Sequence, residues 1–197
     1  SGAAGWRTRA QRCNELPKTI WNMKTPTIAQ VHGYCLGGAC DIAAVCDLTI
    51  AADNAKLGEL EIHHIPHPPF PMLPYVLSYK KANEVILLGE HFTAQQALEM
   101  GLINRCVPQE ELESTVHEYA MKLVKLPVPG VQECKKTVKR IYEMAGMQEA
   151  VRIAENAFGM VLSTETPEFT KFCEIRDRDG MKAAFKWRNE FFADTAE

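Results

Sequence analysis

Three things are scarce in this chain of 197 residues, and each scarcity removes a class of function. No apolar run approaches the ~18 residues needed to cross a bilayer, and the first residues show no secretory apolar core, so neither a membrane span nor an export signal is expected. Positive charge is not in excess: 22 Lys and Arg stand against 25 Asp and Glu, for a net charge of −3, which argues against a nucleic-acid partner. Cysteine pairs at redox or metal-ligand spacing are missing. The seven cysteines (13, 35, 40, 46, 106, 134 and 173) are odd in number, form no C-x-x-C pair and fall partly in apolar stretches, where they read as small hydrophobes of a reducing compartment. With 46% hydrophobic residues the chain can bury a core as one domain, or as one domain plus a helical appendage.

What is present is concentrated between residues 32 and 41, His-Gly-Tyr-Cys-Leu-Gly-Gly-Ala-Cys-Asp. The β-branched, apolar run Pro26 to His32 predicts a strand, and Gly38 to Cys46 predicts a helix. Unpaired N–H groups of the first helical turn would then sit at the strand's carboxyl end, where donors and the helix dipole together favour an anion. Gly37 and Gly38 lack a Cβ and admit a ligand carbonyl close to the backbone, while Asp41, three residues after Gly38, lies on the same helical face. Two readings stay open on these residues alone. The pair is either an oxyanion pocket with its own carboxylate, or tight-turn chemistry with Asp41 complementing the helix dipole.

Around this segment, Trp6 to Met23 predicts a helix interrupted at Pro17, Leu48 to Ala52 a strand, and Lys56 to Ile62 a further extended piece with Glu59 and Glu61 on the face opposite Leu60 and Ile62. Strands alternating with helices predict parallel pairing, with ligands at the strands' carboxyl ends. Farther on, Tyr75 to Leu88 predicts a helix, Thr93 caps Ala94 to Met100 with Gly101 as the stop, Leu102 to Val107 is a last strand, and Glu110 to Leu126 is helical. Pro127-Val-Pro-Gly130 marks the expected boundary between residues 1–126 and 127–197, the latter predicted as three helices at about 131–145, 147–163 and 167–194.

The run from Lys24 through Asp53, followed by Leu57-Gly-Glu-Leu-Glu-Ile62, closely resembles the crotonase (enoyl-CoA hydratase/isomerase) family, and so do Gly89 to Pro108 and Asp179 to Arg188. The likeness covers about residues 20 to 192. It implies an α/β, crotonase-like (ClpP/crotonase) fold: a ββα superhelix core followed by a C-terminal helical region that mediates a homotrimer or a dimer of trimers. By the same resemblance a first oxyanion N–H and much of the CoA surface come from a segment preceding the position of Trp6, so the core is expected to be N-terminally incomplete. The implied substrate is an acyl-CoA thioester. No cofactor is implied beyond the coenzyme A of the substrate, no nucleic acid or membrane is implied as partner, and the implied location is cytoplasmic, or the mitochondrial matrix in a eukaryote.

Residue by residue, Asp41 falls on the glutamate after the family's glycine run and Glu61 on the glutamate of its Pro-Glu-Ile segment, the hydratases' catalytic pair. Gly38 falls on the oxyanion donor. Substrate contacts are implied at Tyr34, Leu36 and Gly37, at His64 and Ile65 after the second acid, and at Phe185 and Arg188, which in the family reach the CoA of a neighbouring subunit. Departures accompany the match. Asp41 is a methylene shorter than glutamate, about 1.5 Å, and Ile65 and His67 replace the family's glycines, which should reshape the acyl pocket. The most direct implied activity is hydration of a 2-enoyl-CoA. Isomerase or hydrolase chemistry and a non-catalytic, CoA-binding subunit are the alternatives.

Two groups have ordinary readings, the histidines as pocket lining or surface and the basic residues as a solvated face. His63, His64 and His67 lie among Pro66, Pro68 and Pro69, which prevent the helix that would aim them together, and no metal site is expected. Lys135, Lys136, Lys139 and Arg140 form a basic face that reads as solvated.

Overall fold

Two small sheets, not one, carry the site. In the computed structural model, which describes residues 2–63, 70–164 and 166–193, helices α1 (Ala3–Cys13) and α2 (Glu15–Asn22) precede strand β1 (Ile28–Val31), and a turn at His32 and Gly33 sends the chain into β2 (Tyr34–Leu36) of a different sheet. Helix α3 (Gly38–Val45), β3 (Leu48–Ala52) and β4 (Lys56–Gly58) follow. After a single 3₁₀ turn at Leu60–His63 come α4 (Leu73–Val76), α5 (Tyr79–Leu88), β5 (His91–Thr93), α6 (Ala94–Glu99) and β6 (Arg105–Val107). Helices α7 (Leu112–Val124), α8 (Val128–Met144), α9 (Met147–Val161), α10 (Pro167–Asp179) and α11 (Met181–Ala193) complete the chain.

The first sheet is all parallel, in the order β1-β3-β6, as the alternation of strands and helices predicts. The second, β2-β4-β5, pairs β2 with β4 in parallel and β4 with β5 antiparallel; β5 has no counterpart in the sequence reading. Central strand β3 is buried on both faces. Its Ala51 joins the main core with Val31, Leu57, Phe92 and the α3 residues Cys40 and Ala44, while Ile50 and Ala52 pack against Leu112 of α7. Fully buried side chains such as Leu57, Phe70, Leu73 and Val85 each contribute about 1.5–3 kcal/mol.

Several predicted boundaries move, each for a local reason. The N-terminal helix breaks at Asn14, not at Pro17, because Pro17 lies in the first turn of α2, where a missing N–H costs nothing. The predicted helix 75–88 is two helices, since Ser78 caps α5 by accepting from the Lys81 N–H. Strand 102–107 shortens to Arg105–Val107 because the N–H groups of Leu102 and Ile103 still turn back to the Ala97 carbonyl. Pro129 and Gly130 do not break the chain but sit inside the first turn of α8, and Gly180 divides the last predicted helix into α10 and α11. The C-terminal helices also pack on the earlier chain: Met147 and Val151 of α9 enter the main core, and Phe158 and Leu162 meet Trp6 and Ala10 of α1. Among the described residues no helix is long and apolar enough to cross a membrane.

Candidate active site

The parallel register that sets Leu36 opposite Gly58 brings the end of β2 and the end of β4 together. Gly37 follows β2, donates its N–H to the Gly58 carbonyl at 2.8 Å, and takes φ +59°, a left-handed conformation that a side chain resists. The chain beyond Gly58 was expected to stay extended; instead it coils into the 3₁₀ turn Leu60–His63, and that turn carries Glu61 back over Gly37. A β-carbon placed on Gly37 would lie 1.5 Å from Glu61 Oε1. The carboxylate thus rests against bare backbone, in the space that the absent side chain leaves. The turn is anchored from below by α5: His63 Nε2 lies 3.1 Å from the Leu88 carbonyl, and the His63 ring stacks on Phe192 of α11 at 4.3 Å.

Helix α3 opens beside this contact. The Gly37 N–H is taken up by Gly58, but among the described residues nothing accepts from the Gly38 N–H, the first of the helix. One turn on, Asp41 is buried at 4% exposure, and its Oδ1 has no hydrogen-bond partner. Asp41, Glu59 and Glu61 form one cluster. Burial, then the charge of Glu61, pushes the Asp41 carboxyl well above the usual carboxylate range. Burial, followed by the charges of Asp41 and Glu61, pushes Glu59 up to about 10. Cys35 and Cys40 line the same space and are raised first by burial and then by Glu59, Cys35 to about 11.

The structure thus brings Gly37, Gly38, Asp41 and Glu61 together. Tyr34 and Leu36 flank them on β2, with Tyr34 80% exposed. Arg188 lies in α11, buried, with its guanidinium 4.8 Å from the Phe185 ring and within electrostatic range of Glu61 of the same chain. His64 and Ile65 lie outside the described residues, as does His67. Among the described residues no group of three or more His, Cys, Asp or Glu is arranged to hold a metal ion. A cavity of about 460 Å³ lies at the other end of α3, between it and α8, and none of the three acids lines it. Glu59 was legible only as the neighbour of Glu61 on an exposed face. The missed signal is the run Leu57-Gly-Glu59, which is buried throughout, so that alternation in and out of the core fails there.

The family model of enoyl-CoA hydratase/isomerase matches residues 7–179 of this chain. The chain belongs to the enoyl-CoA hydratase/isomerase family. A short-chain-enoyl-CoA hydratase of Clostridium acetobutylicum is 33% identical over 178 residues, covering 86% of this chain and 66% of that protein. A carnitinyl-CoA dehydratase of Escherichia coli is 31% identical, covering 76% of this chain and 63% of its own length. The chain spans about half to two thirds of the length of the curated relatives it matches. Among solved structures, an enoyl-CoA hydratase/isomerase of Xanthobacter autotrophicus Py2 superimposes with a TM-score of 0.91 at 33% identity, over 96% of this chain and 71% of that one. At 22% identity an enoyl-CoA hydratase of Mycobacterium smegmatis, with a TM-score of 0.86, shares the crotonase fold.

Proposed function

We propose that this chain adds water across the double bond of a 2-enoyl-CoA thioester. The observation that carries the reading is the meeting of Glu61 with the backbone of Gly37, beside the open N–H of Gly38. Asp41 and Glu59 are pushed toward their neutral forms, and Glu61, seated against Gly37, has the role of base. Glu61 removes a proton from water as its oxygen bonds to the β-carbon. The π electrons move onto the thioester oxygen, and the Gly38 N–H and the dipole of α3 stabilise the enolate there. The enolate then collapses: the α-carbon takes the proton held by Glu61, and the thioester carbonyl re-forms. Asp41, a methylene short of the family's glutamate, orients the water.

The acyl-CoA substrate, a reducing cytoplasmic or matrix setting, and a homotrimer or dimer of trimers belong to the same reading. Exposed Val124, Leu126, Val128 and Ile141 along α7 and α8 offer apolar surface for copies of the chain, and sedimentation of the purified protein would count them. A second reading, a chain that binds CoA thioesters without turnover, draws on Arg188, whose buried guanidinium faces Glu61 and would hold it as an ion pair. One assay separates the two. Short 2-enoyl-CoA esters should lose their conjugated absorbance with the intact chain, and Glu61→Gln should lower the rate by about 10²–10⁴-fold. Equal rates for both proteins would overturn the assignment, and binding of the ester with no rate at all would favour the second reading.

A further inference from the structure

Glu59 is the most buried charged residue among the described ones, at 1% exposure; the Cys40 thiol is the one group that donates toward it, and neither of its oxygens has an N–H or O–H donor among the described residues. A carboxylate held that way without compensation is costly, and a purely structural glutamate is normally paired. Its neighbours offer no neutralising cation. Asp41 and Cys40 face it from α3, Cys35 from β2 and Glu61 from the 3₁₀ turn; Arg188 of α11 faces Glu61. Glu59 and Glu61 nevertheless lie within hydrogen-bonding reach of each other, and two carboxyls bond only when one of them carries a proton. The buried Oε2 of Glu61 has no donor, so it is an acceptor that such a proton would satisfy.

We propose that Glu59 is a positioning residue of the active site, a neutral carboxylic acid whose O–H donates to Glu61, fixes that carboxylate against Gly37 and leaves its other oxygen for water. The inference rests on the reading of Glu61 as the base. Burial and the surrounding negative charge, which push Glu59 up to about 10, keep the proton in place throughout the neutral range.

The test uses the intact chain and two substitutions. Glu59→Gln replaces the O–H by an amide N–H of similar size, whereas Glu59→Met fills the space without a donor. Turnover of a short 2-enoyl-CoA should survive in Glu59→Gln with its alkaline limb extended, since an amide cannot ionise. In Glu59→Met kcat should fall about 10–100-fold with little change in KM, the size expected when a buried acceptor loses its donor. Wild-type kcat and pH profile in Glu59→Met would overturn the proposal. So would a loss in Glu59→Gln as deep as that of Glu61→Gln, which would make Glu59 the base itself.

Two readouts need no turnover and so separate this proposal from the hydratase reading. The difference infrared spectrum of wild type minus Glu59→Gln at neutral pH should contain the C=O stretch of a protonated carboxyl. Folding raises the proton affinity of Glu59, so the wild type loses stability as pH climbs from the ordinary glutamate range toward about 10. The Tm gap of Glu59→Gln over wild type should therefore widen with pH across that window. A missing carboxyl band, or a gap that stays constant, would overturn the proposal even if every ester proved inert.

Discussion

Glu155 and Glu59 are both buried, at 5% and 1% exposure, yet the molecule treats them in opposite ways. Glu155, on α9, receives the Lys18 ammonium at 2.6 Å and the Asn14 amide at 3.0 Å, both from the N-terminal helical segment. Burial works to raise its carboxyl, but the hydrogen bonds and charge of Lys18 and the hydrogen bond of Asn14 prevail and hold it below the usual glutamate value. Glu59 meets two further carboxyls and two thiols, and burial drives it upward. One acid is tied down for stability, tethering α9 to the start of the chain. The other has no cation beside it among the described residues, a setting that favours the protonated carboxyl.

The sharpest way to break this contrast is at the uncompensated end. Glu61→Gln should remove about 10²–10⁴-fold of the rate while leaving the thermal midpoint near that of wild type, because the amide occupies the same space. Next comes Gly37→Ala. Its left-handed φ alone costs about 1–2 kcal/mol, and the new methyl would strike Glu61 Oε1 and displace it. A shift of ~1 Å in a reacting group costs on the order of 10²-fold, so both Tm and kcat/KM should drop.

At the compensated end, Asn14→Leu removes one donor from Glu155 and should cost about 1–3 kcal/mol in denaturant unfolding with kcat unaltered. The pH dependence there is the mirror image of that expected at Glu59. The folded-state pKa of Glu155 is depressed, so its contribution is present above the unfolded value of about 4.3 and is lost as pH falls through the folded one. Glu155→Gln should therefore be less stable than wild type at neutral pH, with the difference closing in acid. The smallest effect belongs to the exposed Arg152 to Glu149 pair one turn away on the same helix, where Arg152→Ala should leave the thermal midpoint indistinguishable from that of wild type.

The site was legible in the sequence where its logic is local. A strand running into paired glycines and then a helix can be read from spacing alone, and the open Gly38 amide and the buried Asp41 lie where that spacing puts them. Glu61 was legible through the resemblance, not through its own pattern. Alternation set Glu59 and Glu61 together on an exposed strand face, whereas the register of Leu36 with Gly58 ends the strand early and the following 3₁₀ turn sends the two acids into one buried cluster. That outcome depends on contacts between residues more than twenty positions apart, which no local period contains. Arg188 illustrates the same point over a longer distance. The resemblance implied a contact with the CoA of a neighbouring subunit, and no local pattern hinted that α10 and α11 also bring it within electrostatic range of Glu61 of its own chain.

Helix α11 ties the last described stretch of the polypeptide to the acid cluster: Phe192 lies flat on His63, two positions from Glu61, and Arg188 casts its field over the Glu61 carboxyl. Clipping the last dozen residues, or hanging a purification handle there, would thus be felt as altered chemistry well before it was felt as a melted protein.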